Sequence, residues 1–339
     1  MSDPIDPAPV LDALEGFRRS KAMFAALELK VFERLERQPG RAPEIAAELG
    51  LHPDGAERLL DACVGLRLLA KADGVYSNAP AASRFLVRSS PEALVGYIDL
   101  SNRVSYRMWG DLETAIRTGT SLWETTFGLK GGSIFDHFFK TEESKRDFLL
   151  GMHGMGTLSS PRVAAAFDLG RFQRLVDLGG ATGHLALRAC ERFPGLRAAV
   201  FDLPPVVAQA REFLATSPAG ARVELIAGDF FADPLPEADL FALGRILHDW
   251  APDKIRLLLS KIFARLPSGG GLLIAERLLD PDKRGPLSAH LQSLNMLVCT
   301  EGKERTAAEY GELLRAAGFG EVQTRVTGSV VDALLALKP

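Results

Sequence analysis

Four residues able to move or hold a proton stand in loops that follow apolar runs: His248 and Asp249 in GRILHDWAPDK, Glu276 in LLIAERLL and Glu304 in TEGKERT. Histidine has an ordinary pKa close to neutral pH. A neutral His248 is therefore a candidate general base, taking the proton of a hydroxyl as its oxygen attacks. Such a base needs a carboxylate on its other ring nitrogen to orient it and to stabilise the imidazolium that forms. Either Glu276 or Glu304 fits that role, and spacing does not choose between them. Singly, each glutamate reads as a surface or capping residue and the histidine as structural, so position must decide.

A second group of residues reads as a ligand cradle. VDLGGATGHLALRACERFPGLRAAVFD, residues 176–202, has the order strand, glycine turn, helix, strand, aspartate. Glycines such as Gly179 and Gly183 let the backbone approach a ligand, and the helix start favours electronegative groups. Asp202, 19 residues past Gly183, is placed to accept hydrogen bonds from ribose hydroxyls, which points to an adenosine ligand. A dinucleotide fingerprint would need glycines where Ala181 and His184 stand, so it fails twice. Asp177, two residues before Gly179, and the compact turn GGATG match instead the pattern of S-adenosylmethionine sites, where no pyrophosphate is cradled and a carboxylate faces an ammonium group. The methyl group of Ala181 is tolerable if φ there is negative and costly if it is positive. In AGDFF, Gly228 and Asp229 follow a third strand, with Asp229 suited to the adenine amino group and Phe230 to stacking on the ring. A glycine turn serving only βαβ packing is the blander reading. It loses weight because three successive strand ends carry these acids in order.

The elements that must position these groups are legible from periodicity. RLVDLGG, AAVFDLP, VELIAGD, ADLFALGRI and GGLLIAER read as buried strands separated by helices or loops of βαβ length, which predicts a mostly parallel sheet with helices on both faces. EVQTRVTG and SVVDALLALK, a short turn apart, should pair antiparallel at its edge. His248 then follows the fourth strand, on the carboxyl edge where open α/β sheets bind ligands.

The first 85 residues have a different pattern. LEGFRRSKAMFAALELKVFERLER, APEIAAELG and PDGAERLLDACVGLRLL read as three helices, and LLAKADGVYSNA as a hairpin with an Asp-Gly turn, together a winged helix. Residues 1–86 hold 11 Lys/Arg against 13 Asp/Glu, the wrong balance for phosphate contact, so a DNA-reading role is disfavoured against dimerisation or a lid. Residues 87–170 read as helical, with breaks at Gly110, Gly119 and Gly131 to Gly132. They are rich in aromatic and methionine side chains, mostly core, of which a few, Tyr106 and Met152 among them, wall a ligand pocket.

Whole-chain properties bound the function. With 339 residues the chain exceeds what one core comfortably fills, and 47% hydrophobic with 24% charged residues is a globular balance. A net charge of -3 gives no footprint for a polyanion, so small molecules are the expected ligands. No apolar run is long enough for a bilayer, and the acidic, proline-rich start lacks the features of a signal peptide, which predicts a cytoplasmic protein without nucleic-acid or membrane partners. Cys63, Cys190 and Cys299 lie far apart in apolar company and are expected to be reduced thiols, with no bound metal.

The stretches SYRMWGDLETAIRTG, VFDLPPVV, GDFFADPLPEADL, GRILHDWAPDK, LLDPDKRGPLSAHLQSLNML and TEGKERT carry a resemblance over nearly the whole chain. It is to the dimeric small-molecule O-methyltransferases of the plant and bacterial natural-product type, and most of all to their hydroxyindole-methylating members. The resemblance implies a doubly wound, Rossmann-like α/β methyltransferase sheet with a terminal antiparallel hairpin, preceded by a helical winged-helix domain that joins two subunits. The corresponding boundaries are 1–88 for dimerisation, 89–170 for a helical linker and substrate lid, and 171–339 for the S-adenosylmethionine domain. It also implies that His248 is the base flanked by Glu276 and Glu304. Asp202 with Leu203, the Gly228 to Phe230 segment and Arg245 would contact the cofactor, and Asp249 and Asn295 would face the acceptor.

Departures from the family concern the pocket walls. Cys299 stands for a glutamine beside the acceptor, and Phe139 and Gly156 stand for a tyrosine and a tryptophan over the cofactor. Losing the amide would leave a polar group of an amide-matched acceptor unpaired, at a cost of about 1 to 3 kcal/mol. The expected activity is O-methylation of a small phenolic or hydroxyindole-like acceptor. The alternatives are a same-fold relative that methylates carbon or nitrogen, or that uses the cofactor for another reaction on a polyketide-like substrate.

Overall fold

The computed structural model of the protein describes residues 5–129, 135, 138 and 141–339, and divides into two compact units, Met1–Asn102 and Arg103–Pro339. In the first unit, helices Ala8–Glu28, Val31–Arg37, Ala42–Leu49 and Pro53–Gly65 precede a hairpin of Leu69–Ala72 and Val75–Asn78, whose second strand also pairs with Gly40–Arg41. The first helical pattern is thus two helices, not one. Lys30, with φ 59°, turns the chain left-handed between them, which brings Phe24, Leu27, Val31 and Phe32 into one core with Ile45, Leu60 and Tyr76.

The second unit is built on seven strands: β1 (Arg174–Leu178), β2 (Arg197–Asp202), β3 (Val223–Ala227), β4 (Leu240–Gly244), β5 (Gly271–Glu276), β6 (Val322–Arg325) and β7 (Asp332–Leu337). Their order across the sheet is β3-β2-β1-β4-β5-β7-β6. The first five are parallel, and β7 lies antiparallel between β5 and β6. The apolar runs are unbroken because alternate residues feed different cores. Leu175, Val200, Ala242 and Leu273 face one helical layer, while Val176, Phe201, Leu243 and Ile274 face the other.

Six helices matter for the site: α1 (Glu142–Ala165), α2 (His184–Arg192), α3 (Pro204–Leu214), α4 (Pro252–Arg265), α5 (Leu287–Cys299) and α6 (Ala307–Ala316). Val163, Leu185 and Ala189 of α1 and α2 pack on the first face, and Ile255, Leu258 and Ile262 of α4 with Leu314 of α6 pack on the second. Helix α1 starts at a capping box in which the Thr141 hydroxyl accepts from the Ser144 N–H. Gly110 and Gly119 end short helices as expected, whereas Gly131, Gly132 and Phe139 lie outside the described residues. The strand order reverses between β1 and β4, so a crevice opens at their carboxyl ends.

Candidate active site

Strand β1 runs into the glycine turn at that crevice. Gly179 has φ 67°, and a Cβ there would meet Ile246 at 2.5 Å and Phe230 at 3.4 Å, so this position needs glycine on both counts. Ala181 adopts φ 50°, the costly alternative, and its N–H donates to Asp202 Oδ2 at 2.8 Å. Gly183 caps α2 and is packed against Leu214 and Val200, so its role is to seat the helix. Asp177 is buried beneath the turn, with Oδ2 lacking a hydrogen-bond partner among the described residues. Burial first, and then the nearby Asp202, pushes its carboxyl up to about 7.

Asp202 ends β2. Its Oδ1 accepts from the Leu203 N–H at 2.7 Å, and burial raises its pKa to about 6 against the pull of these two backbone donors. After β3, Gly228 lies against Phe201, leaving no room for a side chain. The Oδ1 of Asp229 accepts from the Phe231 N–H at 2.7 Å, which leaves its second oxygen for a ligand. The rings of Phe230 and Phe231 (4.8 Å), Phe231 and Trp250 (5.0 Å), and Trp250 and Phe135 (5.8 Å) form a continuous aromatic wall.

A cavity of about 400 Å³ joins these strand ends, within the usual size for a small-molecule site. Of the residues expected to bind a cofactor, Gly179, Asp202, Leu203, Gly228, Asp229, Phe230 and Arg245 line it, and so do Met152 and Asp249 of the expected acceptor wall. Asp177 and Gly183 lie behind the lining. Tyr106, Asn295 and Cys299 are not among the lining residues, although Cys299 lies close enough to Asp249 to feel its charge. Tyr106 is partly exposed at the start of helix Tyr106–Trp109. The indole N–H of Trp109 donates to Asn295 Oδ1 at 2.9 Å, Cys299 lies one turn further along α5, and the Trp123 indole donates to the Cys299 carbonyl. All three cysteines are free and buried.

The residues fit the adenosine half of S-adenosylmethionine. The glycine positions cradle a close approach, two half-satisfied aspartates face the cavity from adjacent strands, and an aromatic ring stands beside the second. His184, Ile246, Phe231 and Trp250 also line the cavity and were not foreseen as site residues. The failed third glycine of the fingerprint was the one signal for His184, and the Trp after His-Asp the one for Trp250.

Strand β4 ends in a left-handed turn at Arg245, φ 61°, held by its N–H to the Ala275 carbonyl at 2.9 Å. The turn aims two further N–H groups, of Ile246 and Leu247, at Glu276 Oε1 (3.0 and 2.8 Å). The next residue is His248, buried in the short 3-10 turn Leu247–Asp249. Its Nδ1 lies 2.7 Å from Glu304 Oε1 and 3.5 Å from Glu276 Oε2, and its Nε2 is 3.7 Å from Asp249 Oδ1. The two glutamates are thereby distinguished: Glu304 holds the imidazole, and Glu276 holds the turn that carries it. Burial alone would lower the pKa of His248, but Glu276, Glu304 and Asp249 overcome it and raise it to about 10. Burial raises Glu276 to about 7 and Asp249 to about 6.

His248, Glu276 and Glu304 offer donor atoms within 4.8 Å of one another, close enough to invite a metal reading. The 2.7 Å approach of Nδ1 to Oε1 is a hydrogen-bond length, with a proton between the two atoms. Ligands of a common ion would be splayed apart around it. The group can accept a proton at Nε2 and spread the resulting charge over its carboxylates.

A parallel sheet with this cradle and a buried acid-flanked histidine defines a class of protein, and the comparisons agree. The O-methyltransferase domain model matches residues 109–320 and the O-methyltransferase dimerisation domain model matches residues 11–88, and the chain belongs to the O-methyltransferase family. Acetylserotonin O-methyltransferase of Bos taurus is 43% identical over 95% of this chain and 95% of its own length. A probable bifunctional dTTP/UTP pyrophosphatase/methyltransferase protein of Homo sapiens is 42% identical over 98% of this chain, which spans 54% of that longer protein. The crystal structure of human N-acetylserotonin methyltransferase in complex with S-adenosylmethionine superimposes with a TM-score of 0.92 at 39% identity, covering 100% of this chain and 99% of that one. Among the described residues, no helix is long and apolar enough to cross a membrane.

Proposed function

We propose that this protein transfers the methyl group of S-adenosylmethionine to the hydroxyl of a small phenolic or hydroxyindole-like acceptor, with His248 as the general base. The observation that carries the reading is the buried His248–Glu304 pair at 2.7 Å, next to Asp249 on the rim of a cavity lined for adenosine. When bound, S-adenosylmethionine supplies an electrophilic methyl on a sulfonium whose positive charge opposes a protonated His248. Asp202 and Asp229 would hold its ribose and adenine, and Phe230 would stack on the base.

His248 takes the acceptor's proton at Nε2, while Glu304 keeps Nδ1–H fixed and stabilises the imidazolium. Glu276 anchors the turn through two N–H groups and, with Asp249, buffers the positive charge. The apolar wall of Phe231, Trp250 and Met152 excludes water. Most of the acceleration comes from positioning, because the methyl group is already activated. The acceptor class is supported by the roughly 40% identity to acetylserotonin enzymes, while Cys299 in the acceptor wall separates this chain from their exact substrate.

The protein acts as a homodimer through its N-terminal unit. Support comes from the dimerisation-domain match and from Val10, Leu11, Leu14 and Phe17 of helix Ala8–Glu28, each more than half exposed, an apolar stripe suited to a second copy.

The test is mass spectrometry after incubation with S-adenosylmethionine and a panel of phenols, catechols, quinols and hydroxyindoles, beside His248→Ala. A product one methyl heavier, absent with the variant, is expected. Near-wild-type turnover by His248→Ala at neutral pH would remove the base assignment.

A further inference from the structure

Helix α1 crosses the glycine turn at Gly156, and a Cβ on that residue would lie 2.2 Å from both Cδ2 and Nε2 of His184. The imidazole therefore fills the space that any side chain at 156 would need. Helix α2 starts with His184, directly after the turn, and this residue is among those lining the cofactor cavity. Its Nδ1 is 2.8 Å from the hydroxyl of Ser160, one turn beyond Gly156 on α1. Burial, and then the nearby His153, Arg245 and Arg188, hold the ring neutral, with a pKa down to about 3.

With the Ser160 hydroxyl donating to Nδ1, the proton of the neutral ring sits on Nε2, which has no partner among the described residues. The cavity's other polar groups are committed: Asp202 and Asp229 claim the adenosine end, at β2 and β3. What remains is the stretch over Gly179 to Ala181, the start of α2 and Arg245, where a helix N-terminus and a guanidinium both favour an anion.

Resting on the S-adenosylmethionine reading, we infer that His184 is a cofactor-binding residue, its Nε2–H donating to the α-carboxylate of the methionine moiety from the space left open at Gly156. The small residue on α1 and the large one on α2 form a matched exchange, so each side chain depends on the other.

Calorimetric titration of the full chain with S-adenosylhomocysteine and with 5′-methylthioadenosine separates the possibilities, because the second ligand keeps the adenosine and thioether but lacks the amino-acid tail. His184→Phe, which keeps bulk and loses the donor, should weaken S-adenosylhomocysteine about tenfold and leave 5′-methylthioadenosine within about twofold. His184→Gln, with an N–H restored, should recover most of the loss. Gly156→Ala, which displaces the ring without removing it, should give the same split as His184→Phe. Equal weakening of both ligands would show a space-filling role and overturn the proposal, as would unchanged S-adenosylhomocysteine binding. If the wild type bound neither ligand, the cofactor reading itself would fall, and the proposal with it.

Discussion

Replacing Glu304 by glutamine removes one negative charge and almost no volume from the His248 site. The 2.7 Å contact to Nδ1 then survives only as a neutral hydrogen bond. A hydrogen bond to a charged partner is worth about 1.5 to 3 kcal/mol, against about 1 for a neutral one. Glu276 at 3.5 Å and Asp249 at 3.7 Å remain, so the base is weakened and not abolished. The difference, about 0.5 to 2 kcal/mol, corresponds to about 0.4 to 1.5 units in the pKa of His248 and up to about thirtyfold in kcat.

The sign follows from the charge. His248 is raised to about 10 by its carboxylates, so activity should climb with pH as the imidazolium of the free enzyme loses its proton, and the variant's limb should lie at lower pH. The assay is kcat/KM for methyl transfer across pH 6 to 10, with melting temperature measured at each pH. Glu276→Gln is the informative contrast, because Glu276 Oε1 anchors two backbone N–H groups. That variant should lose thermal stability as well as rate. A Glu304→Gln enzyme with wild-type kcat and an unmoved acid limb would refute the assignment of Glu304 as the charge partner.

Three further outcomes are expected. Asp177 holds its proton up to about pH 7, against an ordinary aspartate value of 3.8, so the stability carried by this group is complete below the unfolded value and is lost as pH rises through 7. The melting temperature of Asp177→Asn, which cannot ionise, should therefore gain on that of the wild type between pH 5 and pH 8, and a constant difference would contradict the buried, protonated acid. Phe230→Leu keeps an apolar side chain but removes stacking worth about 1 to 3 kcal/mol per base, so 5′-methylthioadenosine affinity should fall about 5- to 150-fold by calorimetry. Phe17→Asp, on the exposed stripe of the first helix, should shift the sedimentation coefficient from dimer to monomer, and an unchanged dimer would place the interface elsewhere.

The sheet was legible because burial on both faces writes a distinctive pattern. Runs such as Leu240–Gly244 are apolar at every position, and glycine turns and acids punctuate their ends. The choice between Glu276 and Glu304 was not legible. It depends on where a left-handed residue, Arg245, aims the following N–H groups, and nothing about arginine announces φ 61°. The break at Lys30 was hidden for the same reason, since apolar spacing continues through it. What positions Asn295 and Cys299, expected beside the acceptor, was not legible either: the Trp109 indole donates to the Asn295 side chain and the Trp123 indole to the Cys299 carbonyl. Contacts more than 170 residues apart in the chain leave no local trace.

Ala181 and Arg245 show how the site is held together. Both are non-glycine residues in the left-handed region, at about 1 to 2 kcal/mol each, and both stand at the crevice, after β1 and β4. Such strain persists only where the surroundings over-determine it. Here each N–H is captured, Ala181 by the Asp202 carboxylate and Arg245 by the Ala275 carbonyl of the neighbouring strand. Asp202 therefore has two roles, holding the turn in shape and presenting its remaining lone pairs to the cavity. The same logic makes Glu276 both anchor of the His248 turn and part of its electrostatic field. In each case the carboxylate that meets the chemistry also fixes the backbone beside it, so binding geometry and local stability at this edge of the sheet rise and fall together.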